Sequence, residues 1–452
     1  MVKGRGYICQ NCGYRSSGWL GRCPQCGSWG TFQGEEEKEG PSGGERSLLH
    51  EPPTPLSQIS TEEVRLQTSM EEFNRTLGGG VVMGSVILFG GAPGVGKSTL
   101  MLQVLHELAK RGTRCLYVSG EESLRQVALR ARRLGVKGPD LSVMSSACLE
   151  EITEEVEKLS PEVLVIDSIQ AISSEKVPSG AGSVVQVREV ASRLTQLAKS
   201  QGMAAFLIGH VTKEGAIAGP RVVEHMVDVV LYMERRQDSP YCILRAAKNR
   251  FGSTNEVGVF EMGERGLKEV PNPSELFLSE RPEGSPGSVV MPSMEGTRPI
   301  LVEIQALVAP AVGGYPRRTA MGIDYNRLLL LVGVLERRVG VNLSHHDLFV
   351  NVAGGMRVEE TAGDLAVAVA ILSSHLDRPL PSGMVVFGEV GLTGEVRGVG
   401  YGRERVAEAA RLGFRRCLLP RNTARGIGSR GGVELVGIRE VREVIKVLER
   451  GG

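Results

Sequence analysis

The sequence predicts an α/β protein whose largest part is a doubly wound, mostly parallel β-sheet. Short apolar runs alternate with stretches of helical periodicity from residue 57 to residue 271, as in repeated βα units. One of these runs, 86–89, leads into a glycine-rich loop and then into a helix that ends near Gly112. A short segment with four cysteines precedes this core, and an α+β region follows it. We expect ligands at the carboxyl ends of the central strands, where sheets of this kind bind them.

The loop over residues 90–99 reads G-G-A-P-G-V-G-K-S-T and contains the phosphate-binding pattern G-x-x-x-x-G-K-S. Its glycines let backbone N–H groups surround phosphate oxygens, and the dipole of the following helix adds to this anion site. Lys97 places a positive charge on the β- and γ-phosphates and is therefore also a catalytic candidate, while Ser98 is a predicted Mg²⁺ ligand. The predicted ATP-binding residues of the loop are Gly91, Ala92, Pro93, Gly94, Val95, Gly96, Lys97, Ser98 and Thr99.

The overall composition limits how the protein could bind nucleic acid and argues against a membrane protein. The net charge is only +1, so nucleic-acid binding must come from local basic patches. Aromatic residues make up 4% of the chain, which argues against a dominant base-stacking surface. The sequence has neither an N-terminal apolar segment nor an apolar run of bilayer length, so we expect a soluble, cytoplasmic protein with no membrane partner.

Four cysteines near the N-terminus predict a zinc site. Cys9, Cys12, Cys23 and Cys26 have the spacing C-x2-C-x10-C-x2-C, and two such pairs can close one tetrahedral Zn²⁺ site. Four thiolates leave no open coordination position, so the site is structural, and metal binding supplies folding energy that so short a segment lacks. A disulfide pair and an iron–sulfur cluster are the alternatives, and the missing secretion signal weighs against disulfides.

Shifts in composition suggest the domain boundaries. We expect a zinc-binding domain over 1–33, a linker over 34–56, a nucleotide-binding domain over 57–271, a second linker over 272–286 and a C-terminal domain over 287–452. Both predicted linkers are charged and rich in proline, glycine or serine, without helical or strand periodicity.

Polar residues follow several predicted strands, where a ligand is expected. Asp167 follows the apolar run 163–166 in the Walker B arrangement and is expected to hold Mg²⁺ directly or through water. Glu121 or Glu122 could orient the attacking water as general base, and Glu121 is preferred. The same carboxylates could instead cap the next helix. His210, after a further strand, is either a γ-phosphate sensor or a structural histidine.

The run Lys248-Asn249-Arg250-Phe251-Gly252 places two cations at the end of another strand. Such cations could reach a phosphate across a subunit interface as an arginine finger does, so Arg250 is a catalytic candidate and Lys248 a nucleotide-binding one. A solvated turn is the alternative. Two segments that follow strands, 173–184 and 211–221, combine glycines with lysine or arginine and are candidate DNA-contacting loops. Their composition is also that of ordinary surface loops.

Several motifs together resemble one known family. They are the four-cysteine pattern, L-G-G-G-V-V-M-G-S-V-I-L-F-G-G-A-P-G-V-G-K-S-T, Y-V-S-G-E-E-S, V-I-D-S-I-Q and K-N-R-F-G, and they look like the RadA (Sms) family of bacterial DNA repair proteins. The resemblance implies a RecA-like core, ATP hydrolysis stimulated by single-stranded DNA, a hexameric ring, and branch migration of recombination intermediates. It assigns Lys97 and Ser98 to ATP and Mg²⁺, Asp167 to Walker B, and Lys248 and Arg250 to nucleotide and DNA coupling. Expected partners are single-stranded and branched DNA and a recombinase of the RecA type.

The C-terminal region is similar to the proteolytic domain of Lon in the run from Val386 to Gly400 and in the segments that begin at Arg403 and Cys417. Lon-type proteolysis uses a serine activated by an unprotonated lysine. The serine position falls on Ala362, or on Thr361 if the register shifts by one residue, and the lysine position falls on Arg403. Because arginine stays protonated and cannot act as a base, we expect a non-proteolytic scaffold.

The leading hypothesis is thus a DNA-dependent ATPase in recombinational repair. The main alternative is an ATP-dependent Lon-like protease or its inactive regulator, which the missing dyad disfavours. A third hypothesis is a RecA-like ATPase that acts as a protein switch without DNA.

Overall fold

The computed structural model describes residues 7–9, 14–25, 27–34, 54–58, 63–210, 222–235, 240–279, 281–282, 284–311, 316–428 and 432–449. The chain divides between Val270 and Pro271 into two compact units. No helix in these described ranges combines the length and the apolar character needed to cross a bilayer.

The N-terminal segment forms a small antiparallel sheet in which β1 lies between the other two strands. Its apolar centre is minimal and consists of Phe32, Tyr7 and the buried side chains of Cys9 and Cys23. So small a cluster cannot stabilise a fold by apolar burial alone. The strands are β1 Tyr7–Cys9, β2 Arg15–Ser16 and β3 Phe32–Gly34.

The rest of the first unit is built on one large sheet with helices on both faces. The strands of this unit are β4 Arg65–Leu66 and β5 Val81–Val82, which form a separate two-stranded sheet, and, in the large sheet, β6 Val86–Gly91, β7 Cys115–Ser119, β8 Leu141–Ser145, β9 Val163–Asp167, β10 Ala204–His210, β11 Val229–Arg235, β12 Tyr241–Asn249, β13 Val257–Gly263 and β14 Gly266–Glu269. Its helices are α1 Glu71–Thr76, α2 Lys97–Ala109, α3 Leu124–Leu134, α4 Leu149–Leu159, α5 Val184–Gln201 and α6 Val222–Met226. Short 3₁₀ turns lie at Leu56–Gln58 and Ile169–Ala171.

Within the described residues, the order of this sheet is β14-β13-β12-β11-β6-β10-β9-β7-β8. The strands from β11 to β8 run parallel, and β12, β13 and β14 extend the sheet as antiparallel neighbours. Alternate residues of the buried strands point to two separate apolar clusters, one against α1, α2 and α3 and the other against α4 and α5. This is the doubly wound arrangement, because a parallel sheet must cover both of its faces.

The predicted central strands are present, and the edge strands were missed. β8 is largely exposed and rich in serine, so it lacks the continuous apolar run that reveals a buried strand. β14 spans only 266–269, next to the two-residue turn that joins it to β13. Neither pattern stands out from loop composition in the sequence.

The second unit contains a mixed sheet whose order, within the described residues, is β17-β18-β16-β15-β19-β22-β23. Its strands are β15 Ser288–Glu295, β16 Arg298–Pro310, β17 Arg318–Met321, β18 His346–Val352, β19 Met384–Val386, β20 Glu389–Val390, β21 Val396–Arg397, β22 Arg416–Pro420 and β23 Glu434–Ile438. Its helices are α7 Pro273–Leu278, α8 Tyr325–Val334, α9 Asp364–His375, α10 Gly402–Arg411, α11 Arg421–Ile427 and α12 Val444–Glu449. Shorter turns lie at Leu335–Val339, Ala353–Gly355, Thr361–Gly363 and Val441–Glu443.

α9 is the central helix of this unit. Every residue from Asp364 to Ser373 is buried, and the helix packs against β15 and β16. A helix that is apolar around its whole circumference is stable only when other elements enclose it. The predicted α+β domain therefore has its core at this helix.

The segment 272–286, which the sequence predicts as a linker, instead contains helix α7. Asn272 accepts a hydrogen bond from the Glu275 N–H as N-cap, and Pro273 occupies the first helical turn. Ser274 is buried, donates to Glu408 at 2.8 Å and accepts from the backbone N–H of Leu301 at 3.0 Å. The composition suggested flexibility, but these local signals start a helix that belongs to the second unit.

Candidate active site

The phosphate-binding loop connects the end of β6 to the start of α2, as predicted. Gly94 and Gly96 have φ values of 74° and 115°, which residues with a Cβ rarely adopt. A Cβ on Gly91 would lie 2.6 Å from the carbonyl oxygen of Met233, and one on Gly96 would lie 2.5 Å from the terminal methyl of Met262. The backbone of β11 thus requires glycine at position 91, and the positive φ value favours glycine at position 96.

Lys97 is buried beneath this loop, with only 4% of its surface exposed. Its Nζ donates to the carbonyl oxygens of Gly91 at 2.8 Å and Ala92 at 3.0 Å. Burial lowers the pKa of Lys97 to about 8, while the negative charges of Asp167 and Glu121 act in the opposite direction. The loop therefore holds a positive charge directly under the position where phosphates would bind.

Asp167 ends β9, beside the strand β7, and its carboxylate accepts a hydrogen bond from the hydroxyl of Tyr117. Tyr117 is fully buried, and burial together with the charge of Asp167 raises its pKa well above the usual value. The hydroxyl consequently stays protonated and fixes one carboxylate oxygen of Asp167. The sequence did not reveal Tyr117, because its role depends on the register between two strands that are distant in the chain.

The side chains of the adjacent residues Glu121 and Glu122 have different partners. Glu121 accepts a hydrogen bond from the Ser168 hydroxyl at 2.5 Å, and its carboxylate lies 3.7 Å from Nε2 of His210. Glu122 points elsewhere and forms an ion pair with Arg130 of α3 at 2.5 Å. Ser168 directly follows Asp167, and its role could not be predicted from the sequence because it depends on the contact with Glu121.

His210 ends β10 and links these groups. Its Nδ1 lies 3.4 Å from Nζ of Lys97, and its Nε2 faces Glu121. The carboxyl edge of the sheet thus brings together Lys97, Glu121, Asp167 and His210, as the strand-end rule predicts. Ser98 follows Lys97 in the first turn of α2.

Lys248 and Arg250 lie at the opposite edge of the same sheet. Asn249 on β12 pairs with Val229 on β11, and Val229 pairs with Ile87 near the start of β6. The phosphate-binding loop follows Gly91, four residues further along, a distance of about 13 Å at the usual rise of a strand. β12 is antiparallel to β11, so the end of this strand reaches the amino edge. Within one chain the structure does not bring these two cations to the loop.

Three cations surround one buried carboxylate at this amino edge. Arg250 donates to Oδ1 of Asp228 at 2.8 Å, and Nζ of Lys199 lies 3.5 Å from the same oxygen. Lys248 donates to the carbonyl oxygens of Glu224 at 2.9 Å and Val227 at 2.6 Å. Burial and the neighbouring charge of Arg250 lower the pKa of Lys248. The cluster has more positive than negative charge, and 53% of the Arg250 side chain is exposed.

Of the four predicted zinc ligands, Cys9 and Cys23 are described, and Cys12 and Cys26 lie outside the described residues. The N–H of Cys9 donates to the carbonyl of Tyr14 at 2.9 Å, and the N–H of Cys23 donates to that of Ser28 at 2.8 Å. Each bond spans five residues, so Cys9 and Cys23 take part in the same hydrogen-bonding pattern. Both described thiols are buried. This equivalence fits a metal site to which two similar segments each contribute cysteines.

The first candidate DNA-contacting loop, 173–184, is organised around the side chain of Gln186 on α5. The Gln186 amide donates to the carbonyl oxygens of Ser174, Val177 and Ser179 at 2.9–3.0 Å and accepts from the N–H of Ser174. The second candidate loop, 211–221, lies outside the described residues.

The Lon-like positions of the second unit have structural contacts. The Thr361 hydroxyl donates to Glu389 at 3.1 Å, Ala362 is buried, and a guanidinium nitrogen of Arg403 lies 3.4 Å from the carbonyl oxygen of Gly426. Next to them, the buried Arg405 forms a two-point ion pair with Glu360 at 2.8 Å and 2.5 Å. These residues carry neither the serine nor the lysine that Lon-type proteolysis needs.

Three family models match parts of the chain. They are described as "Rubredoxin metal binding domain" for residues 7–34, "AAA domain" for residues 51–216 and "Subunit ChlI of Mg-chelatase" for residues 333–423. Among solved structures, a KaiC-like protein from Pyrococcus horikoshii aligns over 46% of this chain and 100% of its own length, with 20% identity and a TM-score of 0.40.

Curated relatives match over nearly the full length. The "DNA repair protein RadA" of Bacillus subtilis is 50% identical over 446 residues, which cover 97% of each chain. The protein of the same name from Listeria monocytogenes is 51% identical over 446 residues, with the same coverage. The predicted resemblance is confirmed, and so is the predicted fold class of a zinc ribbon, a RecA-like core and an α+β C-terminal domain. The chain belongs to the DNA repair protein RadA family.

Proposed function

We propose that this protein is a DNA-dependent ATPase, stimulated by single-stranded DNA, that processes recombination intermediates and promotes branch migration in recombinational DNA repair. The observation that carries the proposal is the convergence of Lys97, Glu121 and Asp167 at the carboxyl edge of a parallel sheet. The relatives named DNA repair proteins supply the biological setting, which we take to be the cytoplasm.

The residues of the loop fit ATP and Mg²⁺. Backbone N–H groups of residues 91–99, apart from Pro93, would surround the phosphates, and Lys97 would exchange its two loop carbonyls for phosphate oxygens. Ser98 and Asp167 would hold Mg²⁺, which neutralises charge on the β- and γ-phosphates when it is bound. Tyr117 keeps one oxygen of Asp167 occupied, so the other oxygen is the one available to the metal or to its water.

Glu121 is the proposed general base. Its carboxylate is held by Ser168 and lies near His210, whereas the carboxylate of Glu122 is neutralised by Arg130. A carboxylate that is already in an ion pair is a poorer acceptor for the proton of an attacking water. His210, between Lys97 and Glu121, is positioned to respond to the γ-phosphate.

Lys248 and Arg250 are proposed to act on the nucleotide of a neighbouring subunit in a hexameric ring. Their cluster has surplus positive charge, and Arg250 is half exposed at the edge opposite the loop of its own chain. In a head-to-tail ring each contact joins two different surfaces, and in the proposed ring these are the amino edge of one subunit and the carboxyl edge of the next. The cations would then stabilise charge that develops on the transferred phosphoryl group.

The four cysteines Cys9, Cys12, Cys23 and Cys26 are proposed to hold one structural Zn²⁺. The equivalent hydrogen bonds at Cys9 and Cys23 and the small apolar centre of the ribbon support this assignment. When bound, zinc supplies folding energy and no catalytic position.

The C-terminal domain is proposed to be a non-proteolytic scaffold that supports the ring and binds DNA. The ion pair between the buried Arg405 and the partly exposed Glu360 lies close in sequence to the positions of the Lon dyad. Partners of the whole protein are proposed to be single-stranded and branched DNA and a recombinase of the RecA type.

The proposal is tested by measuring ATP turnover with and without single-stranded DNA, together with branch migration on a synthetic three-strand junction. We expect single-stranded DNA to raise kcat, and ATP to be required for branch movement. An ATPase that DNA leaves unchanged would instead support a protein switch. ATP-dependent cleavage of casein would support the protease alternative.

A further inference from the structure

Asp228 is the residue around which the amino-edge cations are arranged. It lies outside the K-N-R-F-G run, and no sequence pattern selects it. Its side chain is only 5% exposed, and its Oδ1 contacts both Arg250 at 2.8 Å and Lys199 at 3.5 Å. The N–H of Arg250 also donates to the Asp228 carbonyl at 3.2 Å. The backbone and the side chain of Arg250 are therefore both held by one residue.

Asp228 is itself held rigidly by the strand that ends in the phosphate-binding loop. Its N–H donates to the Val86 carbonyl at 2.9 Å, and its Oδ2 accepts from the Val86 N–H at 3.1 Å. Val86 is the first residue of β6, and Gly91 is the last. A carboxylate with backbone ties on both sides does not change its position when a ligand approaches its cation.

The contacts also set the direction of the guanidinium. One nitrogen of Arg250 is bound to Asp228, and half of the side chain remains exposed. An arginine has five N–H donors in a planar fork, so one nitrogen can stay on Asp228 while others bind an anion. Lys199 is a second cation on Asp228 and reduces the negative charge that would compete with that anion.

We infer that Asp228 is a positioning residue that holds Arg250 in the geometry needed to act on a neighbouring subunit's nucleotide. This inference rests on the proposed action of Arg250 across the subunit interface. It adds a residue outside the K-N-R-F-G run, and it connects Arg250 to β6 through Asp228 and Val86. Loss of the carboxylate leaves the guanidinium beside Lys199 with no compensating charge, so the side chain turns away.

The test is a double-mutant cycle on the full-length protein with ATP, Mg²⁺ and single-stranded DNA. Asp228→Asn keeps an oxygen for the Val86 N–H, removes the charge, and replaces the oxygen that faces Arg250 and Lys199 with an NH₂ donor. We expect kcat to fall on the order of 10- to 100-fold, as for a misplaced catalytic group, with KM for ATP near the wild-type value. In the Arg250→Ala background the same change should have no further effect on kcat, because Asp228 acts through Arg250.

Two further variants keep the test decisive. Glu157→Gln on the exposed face of α4 removes one negative charge elsewhere and should leave kcat unchanged. If Asp228→Asn lowers the melting temperature so far that the protein is not folded in the assay, Asp228→Glu, which keeps the charge but displaces it, replaces it in the same cycle.

Wild-type kcat in Asp228→Asn would overturn the inference, and so would losses that add in the double variant. An Arg250→Ala variant with wild-type kinetics would instead overturn the proposed role of Arg250 itself. The two failures are therefore distinguishable by which single variant retains turnover.

Discussion

The carboxyl and amino edges of the central sheet have opposite arrangements of charge. At the carboxyl edge, the buried Lys97 lies among the carboxylates of Glu121 and Asp167. At the amino edge, the single buried carboxylate of Asp228 lies among cations, and the outermost of these, Arg250, is half exposed. Under the proposed function, the carboxyl edge receives ATP and Mg²⁺, and the amino edge presents positive charge to a neighbouring subunit.

This difference shows why one chain is an incomplete enzyme under the proposed mechanism. Strand register separates the two edges by about 13 Å along β6. A guanidinium cannot cross that distance within its own rigid sheet. The same strand, however, links the two half-sites, since Val86 holds Asp228 and Gly91 begins the loop.

We expect the greatest loss of ATP turnover from Lys97→Ala at the carboxyl edge. This change removes the only cation under the loop in the described part of the chain, so we expect ATP turnover to fall on the order of 100- to 1,000-fold. Steady-state ATP hydrolysis with single-stranded DNA measures it. An unchanged melting temperature should show that the fold is intact, and near-normal turnover would remove the loop from the mechanism.

The variants Glu121→Gln and Glu122→Gln test which glutamate at the carboxyl edge is the general base. We expect the first to lower kcat about 100-fold, since it removes the proposed base next to Ser168. The second should affect only the partly exposed pair with Arg130, worth about 0–1 kcal/mol of stability, and leave turnover close to wild type. The reverse ranking would assign the base to Glu122.

The pH dependence tests the buried lysine. The pKa of Lys97 is lowered to about 8, so the side chain loses its charge as the pH rises through that value. We expect kcat/KM for ATP to fall above pH 8, approaching about tenfold per pH unit. Lys97→Arg is the control, because its guanidinium stays charged and its lower activity should not decline over the same range. A wild-type profile that stays flat to pH 9.5 would contradict the burial argument.

The smallest expected effect is that of Tyr117→Phe. It removes the hydroxyl that fixes Asp167, at a cost of about 1–2 kcal/mol of folding free energy. We expect kcat to fall only a few-fold and the Mg²⁺ concentration for half-maximal activity to rise, because Asp167 is less well oriented. Urea denaturation and a Mg²⁺ titration measure the two effects, and wild-type values in both would show that Tyr117 only fills space.

Much of the carboxyl edge could be predicted from the sequence, and little of the amino edge could. The loop at 91–99 and the aspartate after the run 163–166 are local patterns, and local patterns survive folding. Tyr117 and Ser168 were missed because their contacts depend on which strands become neighbours. The position of Lys248 and Arg250 at the amino edge could not be predicted, because the sequence of β12 does not show that this strand runs antiparallel to β11.

The choice of linkers shows the same limit. Residues 272–286 have the composition of a flexible connection, yet Asn272 and Pro273 begin a helix whose Ser274 is bound to Glu408 far along the chain. Composition indicates which local conformations a segment favours, and tertiary contacts decide whether the segment is ordered.

A mixture of two inactive variants tests directly whether the active site is completed by a neighbouring subunit. Arg250→Ala subunits keep an intact loop, and Lys97→Ala subunits keep an intact amino edge. If the site is completed across subunits, random mixed rings should recover activity at up to about one quarter of their interfaces. ATP hydrolysis after equimolar mixing, with each variant alone as the control, measures this recovery. Turnover well above that of either variant is the predicted result, and a mixture that stays as inactive as its components would contradict the account.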